Sequence, residues 1–402
     1  MKEVLLAFLV TATILSCNES EHGNKAVSPI QMKQMSSPAS DSCAEPFLFT
    51  DKNGMIYLSW IEKRGKQSTL YFSTLSNDKW SMPQQIASGN NWFVNWADYP
   101  VIASDGAGNL LVHFLQKSDT AKFTYDVKMV SSNDSGKTWS QSKILNEDNV
   151  KAEHGFVSIV PYKNGFFTAW LDGRKTAMEG DDGGHGHHGE MTLRGAMLDM
   201  SGNKTSEWEL DNRICDCCQT SVAITETGPV VTYRDRSDEE VRDMSIVRYV
   251  NGQWSAPKTI HADNWQIKAC PVNGPRVSGV GNNLAVAWFS IKDKNGEVKL
   301  IFSKDGGETF GKPIRIDDGN TIGRVDAVMI DSTTAMVSWM ESGNIKAAKV
   351  HNDGTKENSI LIASSSDKRS SGFPQMTKSG NRLIFAWTDD KEKTVKVGMI
   401  VL

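Results

Sequence analysis

Short runs of alternating apolar and polar residues recur along the chain, separated by turns rich in Gly, Asn, Asp and Pro. Alternation with a period of two marks strands that bury one face. One run returns again and again: an apolar strand that ends in an aromatic residue, often followed by a carboxylate. The copies are YLSWIE ending at Glu62, LLVHFLQ at Gln116, FFTAWLD at Asp172, PVVTYRD at Asp235, LAVAWFS at Ser290, AMVSWME at Glu341 and LIFAWTD at Asp389. Aligned on Trp60, His113, Trp170, Tyr233, Trp288, Trp339 and Trp387, they stand 53, 57, 63, 55, 51 and 48 residues apart.

That spacing suits four-stranded units. Strand A is short, as in YPVIAS (99–104) or GPRVSG (274–279), and strand B is the aromatic run. Strand C reads like TLYFST (69–74) or VKLIFS (298–303), and strand D like MPQQIAS (82–88) or KPIRIDD (312–318). A single such sheet cannot bury both faces, whereas sheets packed radially can. The reading is an all-β protein, a β-propeller of four-stranded blades with seven repeats counted. A merged or degenerate unit would reduce the count to six. The last unit lacks a strand D, and VSPIQMK (27–33) matches one, so an N-terminal strand is expected to close the ring.

Composition adds the compartment. Lys2 precedes an apolar run from Val4 to Ser16 and then Cys17. The run is too short to span a membrane convincingly and fits a secretory signal. ILSC (14–17) resembles a lipobox, which implies cleavage before Cys17 and lipidation of its thiol. The expected organisation is a signal peptide over 1–16, a polar tether over 17–26 and one propeller over 27–402. The membrane partner would then be reached through the N-terminal lipid. The expected location is the bacterial cell envelope, periplasmic or surface-facing, with Asn18 favouring the outer membrane. A net charge of −4 with no basic cluster gives no support to nucleic-acid binding.

Two turns between strands C and D carry a sharper signature. SNDSGKTW places Ser132, Asp134, Gly136, Thr138 and Trp139 in the same spacing as Ser303, Asp305, Gly307, Thr309 and Phe310 of SKDGGETF. Both match the Asp-box, S-x-D-x-G-x-T-[WF], and the chain resembles the sialidase superfamily through it. Degenerate forms occur at SNDKW (76–80) and VNGQW (250–254). Asp134 and Asp305 are read as turn acceptors for backbone N–H groups, with glycine at positive φ and the aromatic packed between sheets. They should lie away from any site. Sialidases themselves have six blades.

The opposite face gathers the D–A and B–C connections and with them most of the reactive residues. CDCC (215–218) and ACPVNGP (269–275) bring Cys215, Cys217, Cys218 and Cys270 to it, and Cys43 begins an inner strand there. A thiolate site for copper or zinc is one reading, since soft ligands select such ions. Disulfides in an oxidising compartment are the other, with Cys270 joined to one cysteine of CDCC. GGHGHHGE (183–190) adds His185, His187 and His188 as candidate metal ligands. Arg174, Arg234, Arg236, Arg276 and Arg324 could hold an anionic ligand or a glycan, and the alternative is a salt-bridged rim between blades.

The sialidase resemblance implies three arginines on a substrate carboxylate, a Tyr–Glu nucleophile pair and an aspartic acid/base. The early R-I-P stretch is replaced by AEPFLF (44–49). Asp98, Asp172 and Asp235 are the remaining candidates for acid/base work. Three functions stay open: an exported propeller binding a ligand or metal on the Cys/His/Arg face, a glycoside hydrolase of exo-sialidase type with an altered site, or a protein-interaction scaffold.

Overall fold

Each aromatic run forms the second strand of its own antiparallel sheet, in a computed structural model describing residues 31–176 and 189–402. There are seven such sheets, which settles the blade count. Blade 3 shows the order plainly: strand A is His154–Tyr162, B Gly165–Asp172, C Thr192–Asp199 and D Lys204–Asp211. Blades 1 and 4 each add a two-residue strand, Lys79–Trp80 and Gln253–Trp254. Among the described residues the sole helix is one 3-10 turn, Arg369–Ser371, and no helix could cross a membrane.

The aromatic of strand B has a fixed job. Trp60, Trp170, Tyr233, Trp288, Trp339 and Trp387 are all buried, and so is His113. A buried indole N–H needs an acceptor. Residues two apart on a strand share a face, so the carboxylate two places on can supply it. Trp170 Nε1 donates to Asp172 Oδ2 at 2.9 Å, and Trp339 Nε1 to Glu341 Oε2 at 2.7 Å. Where Ser290 replaces the carboxylate, Trp288 Nε1 finds Asp263 Oδ2 at 2.6 Å. In blades 3 and 6 the aromatic-x-acid pattern is thus an internal hydrogen bond, whereas in blade 4 the Tyr233 hydroxyl donates to Asp211 Oδ2 instead, at 2.6 Å.

Strand A of every blade lines the axis around a cavity of about 450 Å³. Such a strand has one unpaired edge, and its N–H groups need partners. Side chains from the preceding blade provide them. Asp98 Oδ1 accepts from Phe156 N at 2.8 Å, Gln219 Oε1 from Gly274 N at 2.8 Å, Asn273 Oδ1 from Arg324 N at 2.7 Å and Asp326 Oδ2 from Met376 N at 2.6 Å. These clasps tie successive blades around the ring.

Closure is non-local, with one correction. Lys33–Met35 pairs with Thr394–Val401, Lys33 lying opposite Met399 and Met35 opposite Val397. The expected segment 27–33 therefore contributes only its last residue, and 27–30 lie outside the described residues. Side-chain fit sets this register. Met35 packs into the layer between blades 7 and 1. Met32 packs into the layer between blades 6 and 7, with its sulfur over Gly398, where a Cβ would come within 2.5 Å.

The Asp-boxes fold as the turn chemistry requires. Asp134 Oδ1 accepts from Thr138 N at 2.9 Å and Oδ2 from Thr138 Oγ1 at 2.6 Å, while Ser132 Oγ accepts from Gly136 N at 2.9 Å. Asp305 repeats the pattern with Thr309 N at 2.8 Å, as does Ser303 with Gly307 N at 2.9 Å. Gly136 and Gly307 both have φ of 85°. Trp139 meets Phe72 of blade 1 edge-on at 5.9 Å, and Phe310 packs against the core between blades 4 and 5.

Candidate metal centre

Two neighbouring D–A connections build the centre. The first runs from Asp211, the end of blade 3, to Ser221, the start of blade 4, and carries Cys215, Cys217 and Cys218. The second runs from His261 to Arg276, between blades 4 and 5, and carries Cys270. The ring places them side by side. The sulfurs of Cys215, Cys217 and Cys218 all lie within 4.8 Å of one another, those of Cys215 and Cys218 at 3.5 Å. Cys270 stands beside Cys217 and interacts with its thiol. Cys215 and Cys218 are buried, Cys217 is half-buried and Cys270 is exposed.

All four thiols are free, so the disulfide expected between Cys270 and CDCC is not formed. Within CDCC, the Cys215 and Cys218 sulfurs at 3.5 Å are likewise well beyond the roughly 2.05 Å of an S–S bond. Cys43 does not join the group. It neighbours Ser40 and Asp41, and burial pushes its thiol up to about 11.

The cluster favours one thiolate. Burial opposes ionisation of Cys215, but hydrogen bonds from the Cys217 and Cys218 thiols outweigh it, aided by the charges of Arg242 and Arg234. The Cys215 thiol therefore ionises well below its usual range. Arg242 Nη1 lies 3.1 Å from Cys215 Sγ. Cys218 is pushed the other way, by burial and then by the Cys215 charge. Cys217 is raised by its hydrogen bonds to the other thiols, and Cys270 is lowered by its bond with Cys217. Arg242 is aimed by Glu240, whose Oε2 accepts from Nη2 at 2.8 Å, and Arg236 Nη2 donates to Glu240 Oε1 at 2.7 Å. Asp216 lies 3.4 Å from Arg236 and 3.8 Å from Arg242.

Arg234 holds both loops. It donates to Asn273 O through Nε and Nη2 at 3.1 and 2.8 Å, to Arg242 O at 2.6 Å and to Phe289 O at 2.7 Å. Its guanidinium lies 4.8 Å over the Trp265 ring. Its own carbonyl accepts from Cys215 N at 3.0 Å. The other end of the pair is fixed by Gln219, which takes Gly274 N and donates to Ala97 O at 2.7 Å.

Seven four-stranded blades, two of them carrying Asp-boxes, and an N-terminal closing strand point to one kind of protein, and the profile of the BNR repeat-like domain matches residues 61–385. The chain belongs to the BNR repeat-like family. The likeness to sialidase-superfamily propellers read from the two Asp-boxes accordingly holds. Among solved structures, a PL25 ulvan lyase matches with a TM-score of 0.57 at 11% identity, over 90% of this chain and 95% of that one. A second polysaccharide lyase matches with 0.54 at 8%, over 89% of each chain. A Hadza microbial sialidase matches with 0.43 at 14%, over 75% of this chain and 64% of that one. At these identities the likeness is one of fold. No curated protein matches the sequence.

In this BNR propeller Arg174 and Arg324 are also occupied, and Arg276 is only partly so. Arg324 Nη1 donates to Lys368 O at 2.9 Å, Ser371 Oγ at 2.8 Å and Gly372 O at 3.0 Å. Arg174 grips Asp172 through Nε and Nη2, both at 2.7 Å. Arg276 lies 3.8 Å from Asp326 and above the Tyr99 ring, with Nη2 lacking a partner. Arg174 and Arg324 are thus committed to contacts within the propeller, and Arg276 stands apart on the axial cavity.

The carboxylate candidates are likewise spread out. Asp98 clasps blade 3, Asp172 serves Trp170 and Arg174, and Asp235 Oδ2 accepts from Ser245 Oγ at 3.0 Å. A second group, Asp148, His154 and Asp172, has donor atoms within 4.8 Å of one another, but Arg174 already sits between the two acids. His185, His187 and His188, like Cys17, lie outside the described residues. Sequence reasoning passed over Glu153. Its Oε1 accepts from the buried Tyr125 hydroxyl at 2.6 Å, and burial pushes its carboxyl up to about 7. Neither residue stands in a motif that would have flagged it.

Proposed function

We propose that this BNR propeller binds a soft metal ion, copper(I) or zinc(II), through the thiols of Cys215, Cys217 and Cys218, with Cys270 beside them as a further sulfur donor. The observation that carries the reading is three sulfurs of one loop within 4.8 Å of one another beside Arg242, with a fourth cysteine on the adjoining loop. Thiolates are the metal-binding form of cysteine, and several of them together suit soft ions. Arg242 offsets part of the negative charge that such a site accumulates, and Arg234 and Gln219 fix the loops, as the outer contacts of metal sites commonly do. The residues therefore fit the group on charge, donor type and support.

The lipobox resemblance completes the proposal with an exported protein, lipid-anchored through Cys17 in the cell envelope. A glycan hydrolase is less well supported, because Arg174, Arg234 and Arg324 are committed to contacts within the propeller. The test is metal analysis of the full chain, reduced and loaded anaerobically with Cu(I) or Zn(II), then desalted. About one ion per chain is expected in the wild type, and Cys215→Ser with Cys218→Ser should lose it, since removing first ligands exceeds the roughly 10–100-fold cost of altering outer contacts. Retention of the ion by that double variant would end the proposal.

A further inference from the structure

The four thiols are not equivalent, and the difference lies in access. Cys215, Cys217 and Cys218 form a compact set on one loop, with two members buried. Cys270 comes from the other loop, is exposed, and meets the set only through Cys217, the half-buried member. The thiols thus run from solvent inward: Cys270, Cys217, then Cys215 and Cys218.

A structural zinc site has a different form. Zinc in such sites takes four ligands in a closed tetrahedron, and here the group of mutually close sulfurs stops at three. Copper(I) is satisfied by two or three thiolates, and thiolate softness selects it. We infer that the centre is an exchange site for copper(I). Cys215, Cys217 and Cys218 hold the ion, and Cys270 is the capture ligand through which it passes to and from a carrier with thiol ligands. The inference rests on the proposed metal site.

The step is a ligand exchange with no change of oxidation state. Cys270 gives its proton to water and its thiolate bonds to the carrier's copper(I). A carrier sulfur–copper bond breaks and that thiolate takes up a proton. Cys217 then gives its proton to water and displaces the next carrier sulfur, which takes up a proton, and the ion moves inward to Cys215, which Arg242 Nη1 faces at 3.1 Å. Cys270 leaves last, takes up a proton and is free for another encounter. Exchange among sulfur ligands is governed in part by access, and Cys270 is the exposed member of the four.

The experiment uses the full chain, reduced and kept anaerobic, with the copper(I)–glutathione complex as donor. Loading is followed by stopped-flow through the thiolate-to-copper absorption, and equilibrium affinity by competition with a chromogenic copper(I) chelator. Cys270→Ser should load about tenfold or more slowly while its affinity stays within about tenfold of the wild type. Cys218→Ser should lose affinity about a hundredfold or more. Cys270→Ala, which leaves no oxygen donor, should repeat the Cys270→Ser result. Loading of Cys270→Ser at the wild-type rate overturns the inference, as does loss of its equilibrium affinity, which would make Cys270 a fourth fixed ligand. A wild-type chain that takes up no copper(I) but holds zinc(II) overturns the inference alone, and one that takes up neither removes the metal site itself.

Discussion

Replacing Arg234 by Met should destabilise the propeller by about 3–4 kcal/mol. The side chain is 2% exposed and gives four hydrogen bonds to three carbonyls, those of Asn273, Arg242 and Phe289. Methionine fills similar space but donates nothing. Each stranded carbonyl costs about 1–3 kcal/mol. Removing a buried guanidinium with no carboxylate partner returns part of that sum, because its desolvation disappears as well. Each kcal/mol moves the midpoint of a large domain by roughly 2 °C, so a fall of about 6–8 °C is expected. The assay is thermal unfolding followed by near-ultraviolet circular dichroism, on metal-free reduced protein so that no ion contributes. Arg234→Lys should fall between the two, because one ammonium cannot serve three carbonyls arranged for a planar fork. A fall below about 2 °C for Arg234→Met would refute the assignment of Arg234 as the stitch between blades 4 and 5.

Two further perturbations probe other parts of the ring. Gly136→Ala forces a side chain at φ 85° and places its Cβ 2.4 Å from Phe72 Cζ, which should cost about 2–4 kcal/mol in urea unfolding. Gly252→Ala, at φ 82° in open space, should lose only about 1 kcal/mol, and equal losses would argue against the contact with Phe72. Glu153 gives a pH signature. Its carboxyl is raised from 4.5 to about 7, mainly by burial. The neutral form is favoured in the folded state, so the contribution is complete below about 4.5 and is lost as pH rises through about 7. Glu153→Gln should flatten the stability profile in that window by on the order of 2–3 kcal/mol, and an unchanged slope would contradict the burial argument.

The propeller was legible because each blade repeats the same local instructions. Alternation gives the strands, the aromatic fixes register from blade to blade, and the Asp-box is a turn whose hydrogen bonds close within a few residues. The meeting of Cys215, Cys217, Cys218 and Cys270 followed from ring geometry, because adjacent D–A connections must share a face. The roles of charged residues were harder to read. Arg234 and Arg324 end on backbone carbonyls of other blades, and a carbonyl leaves no trace in a sequence. Asp98 answers a backbone N–H across a blade boundary for the same reason. Asp172 did carry a signal, its place two residues after Trp170, but the aromatic-x-acid pattern reads equally well as chemistry until the indole bond is seen. Cys43 starts an inner strand, whereas the other four lie in D–A connections, and blade 1 sets it among other neighbours.

The latch formed by Lys33–Met35 has a consequence for biogenesis. Its partners, Val397–Met399, are translated after all seven strand-B segments. Six blades can assemble as they emerge, while the seventh keeps an open edge until the early segment swings back to cover it. Sealing is therefore a late event, and any factor that shields exposed strand edges would have its greatest influence in that interval.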